Sequence, residues 1–373
     1  MRDAINGLRA VCEAPEARLK EALAAGKKAV GVLPYFCPEE LVYAAGMLPF
    51  GLWGAQMQAS ESKRYFPAFI CSLLHTALEM GLRGMLDGLS AVMVPISCDS
   101  LKGMGANWKY GVKTVPVIDV AFAENRKIRA GVEFTVSQLR KIRARLEEIA
   151  GTEITDEKLA AAIAVYNEDR AQLMRFSALA AKHPELVSPA DRCAVFKSGY
   201  FMDRAEHAAA VRGICDGLER APESAWTGLR VVTTGILADA PELLRILEED
   251  GIAVAADQVA QESVNARYPT PVTADPLEGM ALRLGEIEGA SVLFDPGKQR
   301  GVQLVELAKE TGADGILWIM TKFCDPEEYD FVPVRRMAEK AGIPLLAVET
   351  DQQMENYEQA RSAIDAFAEI LRG

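Results

Sequence analysis

The segment that decides the fold is Gly315-Ile316-Leu317-Trp318-Ile319-Met320-Thr321-Lys322-Phe323-Cys324-Asp325-Pro326-Glu327-Glu328. Its apolar run is too short for an ordinary helix and is typical of a buried strand. A cap at Cys324 or Asp325, a proline in the first turn and two acidic residues after it indicate a helix start. In open parallel α/β sheets the ligand site lies beyond the carboxyl ends of the strands. The Cys324 thiol is therefore predicted to face a crevice.

The same alternation of strand and helix extends over the C-terminal part of the chain. Further strand candidates are residues 229–237, 253–257, 292–295 and 344–349, each followed by a helical pattern. Strands that alternate with helices indicate parallel βαβ units. We therefore predict a second α/β domain over residues 228–373, doubly wound like a Rossmann or flavodoxin fold.

The N-terminal part of the chain shows the same alternation of strand and helix patterns. Strand candidates at 29–36, 48–53, 91–97 and 114–120 predict a first doubly wound parallel-sheet domain over residues 27–125. Residues 1–26 are predicted to form an N-terminal helix, and residues 126–227 a helical insert with Thr155 as one helix cap. Phe36-Cys37-Pro38-Glu39-Glu40 is similar to Phe323-Cys324-Asp325-Pro326-Glu327-Glu328, which suggests a repeated corner from strand to cysteine to helix.

Composition and charge restrict the function classes. The 373 residues include 41 Lys and Arg against 53 Asp and Glu, a net charge of −12. Such an acidic chain argues against a nucleic-acid partner, because phosphate binding needs clustered positive charge. The N-terminus lacks the apolar core of a signal peptide, and no apolar run reaches the roughly 20 residues of a membrane span, so we expect a cytoplasmic protein that does not enter membranes. Seven cysteines in such a chain are expected to be thiols or metal ligands and not disulfides.

Three of the cysteines are predicted to converge. Cys98 ends a buried strand of the first domain and Cys324 ends one of the second, while Cys71 opens the helix that leads into the Cys98 strand. Three thiolates without a histidine at metal spacing favour a soft metal or an iron–sulfur cluster. Helix starts behind them would direct backbone N–H groups at an anionic cluster. Three protein ligands on a [4Fe-4S] cluster would leave one iron open to an outside ligand.

The remaining candidates are weaker. A single cysteine is most often a small buried apolar residue, which is our interpretation of Cys12, Cys193 and Cys215. Cys37, in the similar corner, is an alternative fourth ligand. His75 and Glu79 follow Cys71 on one helix face and are either proton-transfer groups near the site or structural residues. Residues 103–107 lack the third glycine of a dinucleotide loop and are predicted to form a turn, and the absence of a Walker A pattern assigns ATP hydrolysis to another protein.

Several cysteine contexts together carry a family resemblance that spans nearly the whole chain. The chain resembles the 2-hydroxyacyl-CoA dehydratase family, and most of all its β subunits acting on 2-hydroxyisocaproyl-CoA or phenyllactyl-CoA. The segments that carry this resemblance are Leu33-Pro34-Tyr35-Phe36-Cys37-Pro38-Glu39-Glu40, Tyr65-Phe66-Pro67-Ala68-Phe69-Ile70-Cys71-Ser72, Ser97-Cys98-Asp99-Ser100-Leu101, Asn107-Trp108-Lys109, Thr234-Gly235-Ile236-Leu237-Ala238-Asp239, Ala256-Asp257-Gln258-Val259-Ala260-Gln261-Glu262 and Lys322-Phe323-Cys324-Asp325-Pro326-Glu327-Glu328-Tyr329.

This resemblance implies a specific chemistry. It implies that Cys71, Cys98 and Cys324 bind a [4Fe-4S] cluster and that Cys37 does not. It also implies a homologous α subunit, which holds most of the acyl-CoA substrate, and an ATP-hydrolysing iron–sulfur activator that supplies one electron. That electron would convert the thioester carbonyl to a ketyl radical, from which the 2-hydroxyl leaves to give the (E)-2-enoyl-CoA and water.

Two other functions stay open at this point. The chain could be part of a benzoyl-CoA reductase or of a related cluster protein that passes electrons to another acceptor. It could also be a metal-free α/β module that binds a small anion, with all of its cysteines in the core.

Overall fold

The N-terminal segment consists of two helices, α1 (Arg2–Glu13) and α2 (Pro15–Ala24). The computed structural model describes residues 1–34 and 36–373. The prediction of one helix over residues 1–26 is wrong because the helix breaks at Ala14, with φ −138° and ψ 61°. A residue before proline is disfavoured in the helical region by clash with the proline ring. Pro15 then starts α2 in the first turn, where its missing N–H costs nothing.

The first sheet has four parallel strands. Its strands are β1 (Ala29–Val32), β2 (Leu48–Gly51), β3 (Ala91–Pro95) and β4 (Val117–Val120), in the order β2-β1-β3-β4. The helices between them are α3 (Glu39–Ala44), α4 (Ser72–Leu82) and α5 (Asp99–Gly111). Strands β1, β2 and β3 are buried throughout, as expected for a parallel sheet covered on both faces.

Helices α6 (Arg129–Ala150), α7 (Asp156–Ala180), α8 (Pro189–Ser198) and α9 (Arg204–Glu219) follow the first sheet. Helix α6 contributes Val132, Val136 and Leu139 to an apolar cluster with residues of β1, β3 and β4, whereas α7, α8 and α9 share an apolar cluster with α1. Thr155 caps α7 as predicted, and its hydroxyl accepts a hydrogen bond from the Lys158 N–H at 3.3 Å.

The second sheet repeats the strand order of the first. It consists of β5 (Leu229–Gly235), β6 (Ile252–Val259), β7 (Gly315–Thr321) and β8 (Leu345–Thr350), all parallel, in the order β6-β5-β7-β8. The helices of this half are α10 (Pro241–Glu249), α11 (Pro276–Glu286), α12 (Gln299–Thr311), α13 (Asp325–Ala341) and α14 (Glu358–Arg372). The predicted architecture of two parallel-sheet α/β units is confirmed.

Each sheet reverses its winding direction at one point. The first strand of each half lies between the second and the third, so the direction changes between β1 and β3 and again between β5 and β7. Crevices at the carboxyl ends of such strands are where open α/β sheets bind ligands. The topology therefore provides two candidate crevices, one in each half.

The strand predicted at residues 292–295 is wrong. This segment lies in the connection between α11 and α12, and the strands of the second sheet are the other four. Asp295 turns the chain, because its carboxylate accepts hydrogen bonds from the N–H groups of Gly297 at 3.1 Å and Gln299 at 2.6 Å. A short apolar run followed by Asp-Pro-Gly is thus a turn leading into α12.

The turn predicted at residues 103–107 is also wrong, since these residues lie inside α5. Leu101, Met104 and Trp108 recur at helical spacing and form the buried face of the helix. Gly105 suits a close approach, because a Cβ there would stand 3.1 Å from a carboxylate oxygen of Asp119.

Across the described residues, the helices are too short or too polar to cross a lipid bilayer.

Candidate functional site

Three cysteines stand at the starts of three helices. Cys71 is the residue before α4, Cys98 the residue before α5 and Cys324 the residue before α13. Helices α5 and α13 follow β3 and β7, which are the third strands of their halves and lie beside the points where the winding reverses. Cys324 belongs to the same apolar cluster against which Cys71 and Cys98 pack. The structure thus brings all three predicted thiols to one region between the halves.

Burial makes these thiols weak acids. Burial, together with the charges of Cys98 and Asp325, raises the pKa of Cys71 to about 12. Burial likewise raises the pKa of Cys98, and it raises the pKa of Cys324 well above its ordinary value together with Glu327 and Cys71. Cys98 acts on the pKa of Cys71, and both of them act on the pKa of Cys324, so the three thiols are neighbours and ionising all of them requires a compensating positive charge.

Backbone donors in the first helical turns favour the ionised thiolates. These donors lower the pKa of each thiol against the larger effect of burial: Leu74 N–H for Cys71, Leu101 and Ser100 N–H for Cys98, and Glu327 N–H for Cys324. Helix N-termini present such unpaired N–H groups to anionic groups. The site therefore combines soft ligands with hydrogen-bond donors directed at their sulfurs.

The corner that carries Cys324 has an unusual backbone. Phe323 has φ 61°, in the left-handed region that is costly for a residue with a side chain. Phe36, before Cys37, has the same φ of 61°, so the two corners similar in sequence are also similar in conformation. Their positions in the fold differ, because Cys37 follows the first strand of its half and Cys324 follows the third.

The structure does not bring Cys37 to the other three cysteines. Its Sγ lies 3.9 Å from the carbonyl oxygen of Met93, in the apolar cluster beneath α6. The position equivalent to Cys324 in the first half is that of Cys98, since both cysteines follow a third strand. Cys12, Cys193 and Cys215 lie in helices α1, α8 and α9 as expected for packing residues.

A buried ion pair supports the Cys324 corner, and sequence analysis missed it. Arg300 Nη2 donates to Glu327 Oε1 at 2.8 Å, and Glu327 Oε2 accepts the N–H of Thr321 at 3.2 Å. Arg300 also donates to the Thr234 hydroxyl at 2.8 Å and lies over the Trp318 ring, 4.2 Å from its centre. These contacts fix the end of β7 to the first turn of α13. The only sequence signal was an arginine at the start of an amphipathic helix.

His75 and Glu79 have structural contacts. His75 Nε2 lies 3.1 Å from the Pro67 carbonyl oxygen and therefore carries the hydrogen, while Nδ1 accepts from the Ser62 hydroxyl at 3.1 Å. Glu79 accepts the N–H of Ser62 at 2.8 Å, and such backbone donors outweigh the effect of burial and lower its pKa to about 2. Both side chains hold the segment that leads to Cys71.

Gln352 joins the two halves next to the Cys71 helix. Its amide Nε2 donates to the Trp53 carbonyl at 2.7 Å, and its Oε1 accepts from the Thr76 hydroxyl at 2.6 Å. Its backbone N–H donates to the Ser72 hydroxyl at 3.0 Å. Gly54 permits this approach, because at φ 71° a Cβ would stand 2.1 Å from Gln352 Oε1. Sequence analysis gave no signal for this contact, which depends on the relative placement of the two halves.

The donor set suits a cluster better than a single ion. No three His, Cys, Asp or Glu side chains within residues 1–34 and 36–373 are placed to hold one metal ion. In a [4Fe-4S] cluster each cysteine binds a different iron, so its ligand sulfurs stand farther apart than those around one ion. Three thiols with helix N–H groups at their sulfurs fit such a cluster chemically.

Comparison with known proteins gives a consistent result. A family model described as "2-hydroxyglutaryl-CoA dehydratase, D-component" matches residues 34–371. The (R)-phenyllactyl-CoA dehydratase beta subunit of Clostridium sporogenes is 49% identical, covering 93% of this chain and 92% of that protein. The lactoyl-CoA dehydratase subunit beta of Anaerotignum propionicum is 39% identical over the same shares. A benzoyl-CoA reductase subunit of Thauera aromatica is 23% identical, covering 93% of this chain and 91% of that protein.

Proposed function

Because this chain belongs to the 2-hydroxyglutaryl-CoA dehydratase D-component family, we propose that it is the β subunit of a radical (R)-2-hydroxyacyl-CoA dehydratase, a hydro-lyase. The complete enzyme would convert an (R)-2-hydroxyacyl-CoA to the (E)-2-enoyl-CoA and water. This chain would carry a [4Fe-4S] cluster on Cys71, Cys98 and Cys324 and pass an electron to the substrate-binding subunit.

The observation that carries this proposal is the grouping of the three thiols. They come from both halves of the chain and stand at the N-cap positions of three helices, and the pKa of Cys324 is raised by both Cys71 and Cys98. Buried thiols without a nearby cation are poor nucleophiles and poor acids, so hydrolytic or acid–base chemistry is not favoured at this place. Binding an iron–sulfur cluster through its iron atoms is the function that uses all three thiols.

Different residues of the site would bind the cluster, stabilise its charge and position its ligands. Cys71, Cys98 and Cys324 would hold the cluster, and the N–H groups of their helices would stabilise its negative charge. The ion pair of Arg300 and Glu327 would keep Cys324 in position. When bound, the cluster supplies one-electron transfer, which the polypeptide cannot perform alone.

Two partners follow from this proposal. The names of the relatives describe beta subunits, which supports a homologous α subunit as the partner of this chain. The sequence has no Walker A pattern, which supports a separate ATP-dependent activator as the electron source. Most of the acyl-CoA contacts are assigned to the α subunit, with this chain as the electron relay.

A benzoyl-CoA reductase subunit is the second candidate, since such a protein matches over most of the chain. Its 23% identity is less than half of the 49% found for the phenyllactyl-CoA dehydratase subunit. Dehydration of an aliphatic or arylalkyl 2-hydroxyacyl-CoA is therefore the better supported reaction.

Iron and sulfide analysis of anaerobically purified protein tests the cluster. We expect about four iron and four sulfide per chain in the parent protein, and loss of most of the iron in Cys71→Ala, Cys98→Ala and Cys324→Ala. Cys37→Ala and Cys193→Ala are the matched controls and should retain the cluster. A folded parent chain that stays iron-free after reconstitution would contradict the proposal and favour the metal-free binding module.

The reaction is tested in the reconstituted complex. The chain is combined with its α subunit and activator, and turnover of phenyllactyl-CoA is compared with reduction of benzoyl-CoA. We expect dehydration of the 2-hydroxyacyl-CoA only, and ATP-dependent reduction of benzoyl-CoA would instead establish the second candidate.

A further inference from the structure

The second sheet has an open edge at β8. This strand is the last in the order β6-β5-β7-β8, so among the described residues only one of its two sides pairs with another strand. The unpaired side of an edge strand presents a row of free N–H and C=O groups, which can pair with an extended segment of another chain.

The pairing with β7 determines which backbone groups are free. On the paired side, the carbonyl groups of Pro344 and Thr350 accept N–H groups of the β7 side, at 2.8 and 2.9 Å. In a parallel ladder, the residues of one strand that bond to a given neighbour alternate with residues that face away from it. Leu345, Ala347 and Glu349 therefore direct their N–H and C=O groups outward, where no backbone group of the described residues pairs with them.

A groove lies along this open edge. We call it the edge groove; its volume is about 370 Å³, and its apolar lining includes Ala347 and Val348 of β8, Met354, and Ala360 and Ala363 of α14. Ala360 and Ala363 lie one turn apart on the helix, and their small side chains leave the space beside β8 open. An added strand points every second side chain to the same face, so its side chains would enter this groove.

The polar rim of the edge groove carries excess negative charge. Glu349 and Asp351 line the groove, and neither belongs to an ion pair of the described residues. The Asp351 carboxylate accepts the N–H of Gln353 at 2.7 Å. Lys322 is the basic residue of the lining, but its Nζ lies over the Phe323 ring, 5.2 Å from the ring centre. Two carboxylates thus stay available to a cationic partner.

We propose that the edge groove docks an extended basic segment of a partner protein, which pairs with β8 as a fifth strand of the second sheet. Its backbone would bond to the free groups of Ala347 and Glu349, and its Lys or Arg side chains would pair with Glu349 and Asp351. The net charge of −12 of this chain would favour the approach of a cationic segment.

A second copy of this chain fits the open edge less well. Two β8 strands paired about a two-fold axis would bring Glu349 and Asp351 of both copies to the same edge. Like charges on neighbouring strands destabilise the pairing. Charge complementarity therefore selects a different, basic chain as the occupant.

A short fluorescent peptide of alternating lysine and valine is the probe, titrated by fluorescence anisotropy into the full-length chain with its cluster. Two matched peptides carry either glutamate in place of lysine, or N-methyl groups on the residues whose N–H would face β8. We expect saturable one-to-one binding of the lysine peptide. Both matched peptides should bind at least about tenfold more weakly, because one loses the charge attraction and the other the strand pairing.

Two substitutions test the groove itself. Ala347→Pro removes one outward N–H and leaves the bonds to β7 in place, as proline on an edge strand does. It should lower the affinity for the lysine peptide about tenfold or more, and Glu349→Gln should lower it about threefold. Glu369→Gln is the control, because Glu369 is exposed near the other end of α14, and it should bind within about twofold of the parent chain.

The proposal is overturned if the lysine peptide does not bind saturably, or if either matched peptide binds equally well. It is also overturned if sedimentation shows that the parent chain alone forms a dimer that Ala347→Pro dissociates, since a second copy would then occupy the edge. If Ala347→Pro does not fold, the N-methylated peptide decides whether strand pairing is involved. No cysteine lines the edge groove, so either result is independent of the cluster assignment.

Discussion

At the scale of single residues, the stability of the Cys324 corner depends on a buried pair of charged side chains. Arg300 lies beneath the Cys324 corner and is 3% exposed, and its carboxylate partner Glu327 is fully buried. Removing one member of such a pair leaves the other charge without compensation. The local stability of the corner therefore depends on this pair, although neither residue would bind iron.

We predict that Arg300→Leu lowers the free energy of unfolding by about 3–5 kcal/mol, because it leaves Glu327 buried and unpaired. Urea unfolding of the cluster-free chain measures this change without a contribution from iron. The control is Arg335→Leu, which breaks the exposed pair with Glu339 and should cost less than about 1 kcal/mol. Similar losses in both variants would show that burial of the Arg300 pair has no special effect.

The pH dependence of stability should contain a contribution from Glu262. Burial and Asp257 raise its pKa in the folded chain, so above the ordinary carboxyl pKa the folded state binds more protons than the unfolded state. Stability then falls as the pH rises through this range, by up to about 1.4 kcal/mol per pH unit for one proton.

We expect Glu262→Gln to remove this contribution. Its stability relative to the parent chain should increase as the pH is raised from 5 to 8, as measured by urea unfolding at each pH. Exposed Glu369→Gln is the control and should show a constant difference. A constant difference for Glu262→Gln as well would mean that the folded chain holds this carboxyl group ionised.

The candidate ligands could be chosen from the sequence because strand ends and helix starts are local patterns. Cys71, Cys98 and Cys324 each precede a helix that their neighbours in the chain specify. The partners of Arg300 could not be found in this way. Its contacts join segments far apart in the chain, and the periodicity of an amphipathic helix does not distinguish a buried arginine from an exposed one.

At the scale of elements, the corner between β7 and α13 depends on the left-handed conformation of Phe323. A β-branched residue is the least suited to this region, while asparagine tolerates it. We predict that Phe323→Val lowers the free energy of unfolding by about 1–2 kcal/mol more than Phe323→Asn does.

The same two substitutions at Phe294 are the control. Phe294 is 52% exposed and is not among the residues with positive φ, so valine and asparagine should differ little there. Urea unfolding of the cluster-free proteins provides the comparison. A valine variant at 323 as stable as the asparagine variant would argue that the corner relaxes out of the left-handed region.

The errors at this scale have a common cause. Residues 292–295 were predicted as a strand and residues 103–107 as a turn, and both predictions relied on fewer than six residues. In the first segment, the Asp295 side chain accepts backbone hydrogen bonds that form a turn. In the second segment, two glycines stay helical because the apolar face of α5 is buried. Tertiary packing outweighs the propensity of such short segments.

At the scale of the whole molecule, Gln352 couples the halves through three hydrogen bonds next to the Cys71 helix. We predict that Gln352→Ala lowers the free energy of unfolding by about 2 kcal/mol, because it removes the two side-chain hydrogen bonds, to Trp53 and Thr76, and each contributes about 1 kcal/mol. The backbone hydrogen bond to Ser72 stays. Hydrogen exchange should increase at residues 53–58 and 72–76. Exposed Gln359→Ala is the control, and unchanged exchange in Gln352→Ala would show that other contacts hold the halves together.

The class of architecture followed from the sequence, but the order of the strands did not. Alternating patterns predict parallel βαβ units, yet they do not tell which strand pairs with which. The structure shows one order used twice, and it shows that the similar Phe-Cys corners occupy different places in that order. Sequence similarity between the corners thus indicated a shared local conformation and not a shared position.

Among the described residues, strand pairing stays within each half, and this has a consequence for synthesis on the ribosome. The first sheet is complete once β4 has emerged, whereas Cys324 follows Cys98 by 226 residues. At about 5–20 residues per second, this delay is roughly 10–45 s. A nascent chain therefore exposes two of the three proposed ligands early, and any chain that terminates before β7 ends can never complete the site. Only a chain extended past Cys324 could therefore bind the cluster with all three cysteines, so cluster binding would distinguish complete chains from truncated ones.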